Sequence, residues 1–166
     1  MIDVGAGTGI CTLLALRAGA SHVYAIESNP AVKLLPEVCA RNGFQGRVTV
    51  VHGSSMSFVP KAPADVVISD LRGVSPLFGT HLRALEDAKT RLLKPGGTLI
   101  PGTDRLFAAL VEAEATHDSI FKPHLDAPLG FDFSSVADDL ADTFHHDRDA
   151  PITRAHLVSD ALSWGD

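Results

Sequence analysis

The sequence has little with which to build a covalent or aromatic framework. It holds two cysteines, Cys11 and Cys39, one tryptophan and one tyrosine. Both cysteines fall inside apolar helical patterns, so they read as reduced core thiols rather than a disulfide pair. No apolar run approaches the roughly 20 residues that a membrane-spanning helix needs. The chain does not open with the basic, apolar and small-residue order of a secretory signal, so the expected localisation is cytoplasmic, with no membrane partner. His145, His146, Asp147 and Asp149 crowd into "HHDRDAP", but their spacing matches no closed metal site, and no metal is expected. What is abundant is apolar: 45% of 166 residues, enough to bury a core in one substantial domain and part of a second.

Basic charge is scarce in the second part. Residues 1–111 carry 11 basic and 8 acidic side chains, whereas residues 112–166 carry 3 and 12, for a net charge of −6. Five of the eight histidines also lie there. A nucleic-acid surface needs the opposite sign, so no nucleic-acid partner is expected. A basic substrate would be attracted.

Strands and helices alternate along the first part. "MIDV" ends a buried strand, and "TGICTLLALRAG" is a helix closed by Gly19. "HVYAIE" is a strand, and "NPAVKLLPEVCARNG" is a helix with Asn29 as N-cap, kinked or broken at Pro36. "RVTVVHG" and "DVVIS" are strands. "PLFGTHLRALEDAKTRLLK" is a helix stopped by "PGG", and "TLIP" is a fifth strand. This order predicts an α/β fold, a Rossmann-like mainly parallel sheet with helices on both faces, over residues 1–101. Residues 102–166 change style. "RLFAALVEAEA", "GFDFSSV" and "AHLVSDALSW" are read as pieces of a partial β-rich, barrel-like section, with "HHDRDAP" as a turn. Phe131 and Phe133 are read as core.

The turn after the first strand carries glycine at alternate positions, Gly5, Gly7 and Gly9. Glycines there let the backbone approach a ligand without Cβ obstruction. The dinucleotide fingerprint G-x-G-x-x-G would need its third glycine where Ile10 stands. Glu27 ends the second strand, and an ionised carboxylate there accepts hydrogen bonds from both hydroxyls of a ribose but repels a phosphorylated one. The spacing Gly5-x-Gly7-x-Gly9, with Glu27 and "LLKPGG" ahead of the fifth strand, resembles the class I S-adenosylmethionine-dependent methyltransferases. The resemblance implies S-adenosyl-L-methionine as cofactor. It also implies a site formed by Asp3, Gly5, Ala6, Gly7, Gly9, Glu27, Ser28, Ser54 and Ser55.

Within that class, "DVGAGTGI", "AGASHVYAIE", "SDLRG", "LLKPGGTLIPG" and "LGFDFSSV" are similar to the protein arginine methyltransferases. The family binds the acceptor guanidinium between two glutamates on the loop after the fourth strand. The resemblance puts Asp70 at the first position and Gly79 at the second, so one carboxylate is absent. The family's Thr-His-Trp segment is also absent, and the only tryptophan is Trp164. Asp70 is the expected substrate-holding or catalytic group. His81 is a candidate general base that otherwise reads as a helix-surface residue, and Arg72 is a partner for Asp70 or for a carboxylate substrate. The acceptor is then a protein or small molecule, with basic protein arginine as one candidate. Two other readings stay open. One is an NAD-dependent oxidoreductase, against which stand the early third glycine and the lack of a Tyr-x-x-x-Lys pair. The other is a non-catalytic binding module retaining the fold, which the absent carboxylate favours. The family dimerises through a helical arm. Residues 115–128 are too short and too proline-rich to show one, so a homodimer stays open. With nothing before "MIDV" and an end at "LSWGD", the chain is expected to be a piece of a longer enzyme or a reduced variant.

Overall fold

The computed structural model describes residues 1–71, 79–126, 128–143 and 152–165. They divide into two units, Met1–Asp104 and Arg105–Asp166.

In the first unit, five short apolar stretches form one parallel sheet. They are β1 (Ile2–Val4), β2 (Val23–Glu27), β3 (Val48–His52), β4 (Ala64–Ser69) and β5 (Leu93–Ile100), in the order β3-β2-β1-β4-β5. All pairings are parallel, and Asp3 sits between Ala25 of β2 and Ile68 of β4. Alternate side chains feed two cores, one on each face. Ile2, Val4, Ile26 and Val67 pack with Ala88 and Leu92. Val23 and Ala25 pack with Leu16, Val32, Leu35 and Cys39. The helices that supply these contacts are α1 (Ile10–Arg17), α2 (Leu35–Arg41) and α3 (His81–Asp87), the last continued by a π turn over Ala88–Leu92. Both cysteines are free thiols.

One local reading holds and two change. The helix over residues 29–43, expected to be kinked or broken at Pro36, breaks just before it into a 3-10 turn over Pro30–Leu34 and then α2. Asn29 caps the first, its Oδ1 accepting the Ala31 N–H at 2.9 Å. Pro36 lies in the first turn of α2, where its missing N–H costs nothing; inside a continuous helix its ring would meet the preceding turn. The third helix begins only at His81, because Gly79, at φ +68, and Thr80 turn the chain. "PGG" does not separate helix from strand. β5 already pairs at Leu93 with Ala64 and resumes at Thr98 opposite Val66, so the intervening residues bulge out of the ladder.

The second unit is less β-rich than expected. β6 (Leu106–Ala108) and β7 (Leu162–Gly165) form an antiparallel pair, and Val111 bridges to Leu157. Between them lie two helices, α4 (Glu114–Leu125) and α5 (Ser134–Ala141). "GFDFSSV" is therefore not a strand. Asp132 Oδ1 accepts the Ser134 N–H at 2.9 Å, a local turn that starts α5 instead. Phe131 and Phe133 are exposed rather than core. Pro123 is accommodated in the last turn of α4. Arg72 and the group His145, His146, Asp147 and Asp149, with the turn read at "HHDRDAP", lie outside the described residues. Among the described residues, no cluster of His, Cys, Asp or Glu is arranged to hold a metal, and no helix is long and apolar enough to cross a membrane.

Candidate functional site

The strand order reverses direction between β1 and β4, and a parallel sheet opens a crevice at its carboxyl ends where this happens. A cleft of about 130 Å³ lies there. Each of the first four strands sends the residues just beyond its end to line it: Gly5, Ser28, the Gly53–Met56 segment and Leu71. Glu27, the last residue of β2, lines it too, and Thr80 and Ala84 close it from the side of α3.

The glycine turn is tied down from beneath. The N–H groups of Gly5 and Ala6 both donate to the Ile26 carbonyl, at 2.9 and 3.0 Å. Gly9 precedes α1 at φ +101, and a Cβ there would lie 2.0 Å from Leu35 Cδ1. Only glycine lets the turn pass so close to α2.

Glu27 joins three loops. Its Oε2 accepts the Gly7 N–H at 2.9 Å, and its Oε1 accepts the Asn29 N–H at 2.7 Å and the Ser28 hydroxyl at 3.3 Å. The Gly53 N–H donates to the Glu27 carbonyl at 2.9 Å. Burial alone would push this carboxyl up. The N–H groups of Asn29 and Gly7, with Ser28, outweigh it and hold Glu27 below the usual glutamate range. It therefore stays ionised well into acid, and Oε2, which accepts a single bond, keeps a lone pair for a ligand.

Asp3 behaves in the opposite way. It is buried beneath α1, where Thr12 Oγ1 donates to its Oδ2 at 2.6 Å. Burial raises its pKa, the Thr12 bonds oppose this, and the charge of Glu27 adds to the rise.

The model of the family described as ribosomal protein L11 methyltransferase (PrmA) matches residues 1–102. The chain belongs to this methyltransferase family. It is also 34% identical over 138 residues to protein arginine N-methyltransferase 1.1 of Arabidopsis thaliana, covering 82% of this chain and 35% of that protein. Against protein arginine N-methyltransferase 1 of Schizosaccharomyces pombe the identity is 30% over 166 residues, with 96% and 48% covered. The chain thus spans between a third and a half of these relatives' length. Its fold is similar to the Trypanosoma brucei PRMT1 enzyme–prozyme heterotetrameric complex with AdoHcy, with TM-score 0.78, 24% identity and coverage of 98% and 50%. For protein arginine methyltransferase 10 of Arabidopsis thaliana the TM-score is 0.74, the identity 21% and the coverage 98% and 51%.

Of the residues assigned to the methyltransferase cofactor site, Gly5, Glu27, Ser28, Ser54 and Ser55 line the cleft. Asp3, Ala6, Gly7 and Gly9 do not. Ala6 is packed in the core beside Leu35, and Gly7 acts through its N–H on Glu27. Asp70 is exposed at the end of β4. Its neighbour Leu71 lines the cleft and covers Gly5, where an added Cβ would lie 2.4 Å from Leu71 Cδ2. His81 is not a surface residue. It is 1% exposed, and neither ring nitrogen has a hydrogen-bond partner among the described residues, a state it shares with Ser69 Oγ. Its neighbour Thr80 lines the cleft instead. Gly53, Met56, Leu71, Thr80 and Ala84 went unassigned in the sequence. The signal that would have found the first three is position alone, just past the ends of β3 and β4.

Proposed function

We propose that residues 1–101 bind S-adenosyl-L-methionine and that the chain is the cofactor-binding part of a methyltransferase acting on a protein arginine. The observation that carries this reading is Glu27, an ionised carboxylate on the cleft wall held in place by the glycine turn. A ribose hydroxyl can donate to the lone pair left on Oε2, whereas a phosphorylated ribose would be repelled by the charge. S-adenosyl-L-methionine, when bound, supplies a methyl group already activated on a sulfonium. The protein's part is to orient and to exclude water. Asp70, beyond β4, holds the acceptor nitrogen and takes up its proton. The acidic character of residues 112–166 draws a basic substrate.

The named relatives support the arginine acceptor, and the residues of the cleft support the remaining chemistry. With Gly79 at the second carboxylate position, the guanidinium would be gripped from one side by this loop. That same residue favours the second reading, a module that binds the cofactor without turnover. A homodimer accounts for the apolar side chains Leu129, Phe131 and Phe133, which stand exposed in the second unit. The two free thiols suit a reducing, cytoplasmic setting.

Calorimetry with S-adenosylhomocysteine and with NAD separates methyl transfer from hydride transfer. Heat with S-adenosylhomocysteine alone is expected, and heat with NAD alone would sink the reading. Incubation with methyl-labelled cofactor and an arginine-rich peptide then tests turnover. Binding without label transfer would favour the non-catalytic module.

A further inference from the structure

One wall of the cleft is a short turn held from a distance. The Ser54–Ser57 turn follows β3 and presents Ser54, Ser55 and Met56 to the cleft. Its internal bonds are all local. Ser54 Oγ accepts the Met56 N–H at 3.3 Å, Ser57 Oγ donates to the Ser54 carbonyl at 3.0 Å, and the Ser57 and Phe58 N–H groups donate to the Ser54 and Ser55 carbonyls at 3.2 Å each. Three residues of 3-10 turn cannot hold a fixed wall by themselves.

Arg91 supplies the missing tie. It sits in the π turn that follows α3, and its guanidinium reaches across to the turn's backbone. Nη2 donates to the Ser55 carbonyl at 2.7 Å, and Nη1 donates to the Phe58 carbonyl. Asp87, one turn earlier, fixes the guanidinium from behind: Nε and Nη2 donate to its two oxygens at 3.0 and 2.8 Å. The planar fork is thereby spent on one carboxylate and two carbonyls, in a fixed orientation that a lysine could not reproduce. Phe58 pins the far end of the turn, its ring 5.5 Å from that of Tyr24 on β2. Arg91 does not itself line the cleft.

We propose that Arg91 is a positioning residue for cofactor binding, acting through the Ser54–Ser57 turn. This rests on the reading of the cleft as an S-adenosylmethionine site. Arg91 pre-organises the wall, so the ordering cost is met on folding rather than on binding. Asp87 and the π turn belong to the same device, since both set where the guanidinium points.

The test uses the full chain and three measurements: Kd for S-adenosylhomocysteine, amide hydrogen exchange without ligand, and thermal unfolding. In Arg91→Gln, Kd should rise about tenfold, the order expected for losing charge-assisted bonds that fix a binding surface. Exchange should quicken at residues 55–58 while β1 and β2 keep their protection. Arg91→Lys, which keeps the charge but not the fork, should fall between wild type and Gln on both readouts. An unchanged Kd with quickened local exchange would overturn the proposal, because the turn would then not matter to the cofactor. Exchange quickening across the whole sheet in both variants would also overturn it, showing a merely structural role. If the wild-type chain shows no binding while Arg91→Gln still loosens only residues 55–58, the cofactor reading fails and the cofactor role falls with it. In that case the tie itself stands.

Discussion

Two carboxyls at the cleft, Glu27 half-buried on its wall and Asp3 buried beneath it, respond to pH in opposite directions. Glu27 is held below its ordinary range, so its contribution to stability is present above the unfolded-state value and is lost as pH falls through its lowered folded value. Asp3 is raised, so its contribution is present at low pH and is lost as pH rises through its folded value. Glu27→Gln should therefore flatten the acid side of a stability–pH profile measured by denaturant titration. It should also weaken S-adenosylhomocysteine about 10- to 100-fold by calorimetry, through loss of charge-assisted bonds. Asp3→Asn should raise the melting temperature at neutral pH by roughly 2–4 °C, because a penalised buried charge is removed while Thr12 keeps an acceptor. A lower value would show that the Thr12–Asp3 bond outweighs burial. The glycines differ among themselves as well. Gly9→Ala meets both a strained φ of +101 and Leu35, and should cost about 2–4 kcal/mol of unfolding free energy. Gly7, at φ +54 with nothing near its missing Cβ, should lose only about 1 kcal/mol as alanine.

At the scale of elements, the sheet was readable because each strand is a short apolar run bounded by turn residues. The central runs, β1, β2 and β4, bury side chains on both faces and tolerate few other conformations. The helices after β2 and β4 were readable in existence but not in extent. Pro36 and Gly79 act on backbone geometry locally, and where a helix starts depends on which N–H groups find partners. Asn29 illustrates the division. Its side chain caps the 3-10 turn, whereas its backbone N–H binds Glu27. Asn29→Ala should cost about 1 kcal/mol of stability in a denaturant titration. It should leave S-adenosylhomocysteine affinity within about twofold, since the N–H that holds Glu27 remains. In the second unit, alternation at Phe131 and Phe133 misled, because a two-residue alternation also occurs where an Asx turn opens a helix.

At the scale of the molecule, the second unit buries little of its own apolar surface. No residue of α4 is buried, Ala137 is the one buried residue of α5, and Leu129 and Phe131 are 95% and 64% exposed. Exposed apolar groups in this number favour association. The chain should sediment as a concentration-dependent oligomer, and Leu129→Ser with Phe131→Ser should shift it toward monomer. Unchanged sedimentation would remove this patch from the interface. The charge asymmetry predicts a separate effect. An arginine-rich peptide should bind more weakly as salt rises from about 50 to 200 mM, since exposed charges at long range are screened.

The alternation of strands and helices along residues 1–101, the glycine turn and the acidic residue ending β2 were determined by the sequence alone. They depend on local patterning and on residue types with few substitutes. Tertiary structure alone decided which of those residues face the cleft. It sent Gly7 to Glu27 rather than to the open cleft, buried His81, and laid Leu71 over Gly5. It also brought Arg91 to a turn more than thirty residues away in the chain. No spacing rule predicts that contact, because it is set by how α3 and its π turn pack on the sheet.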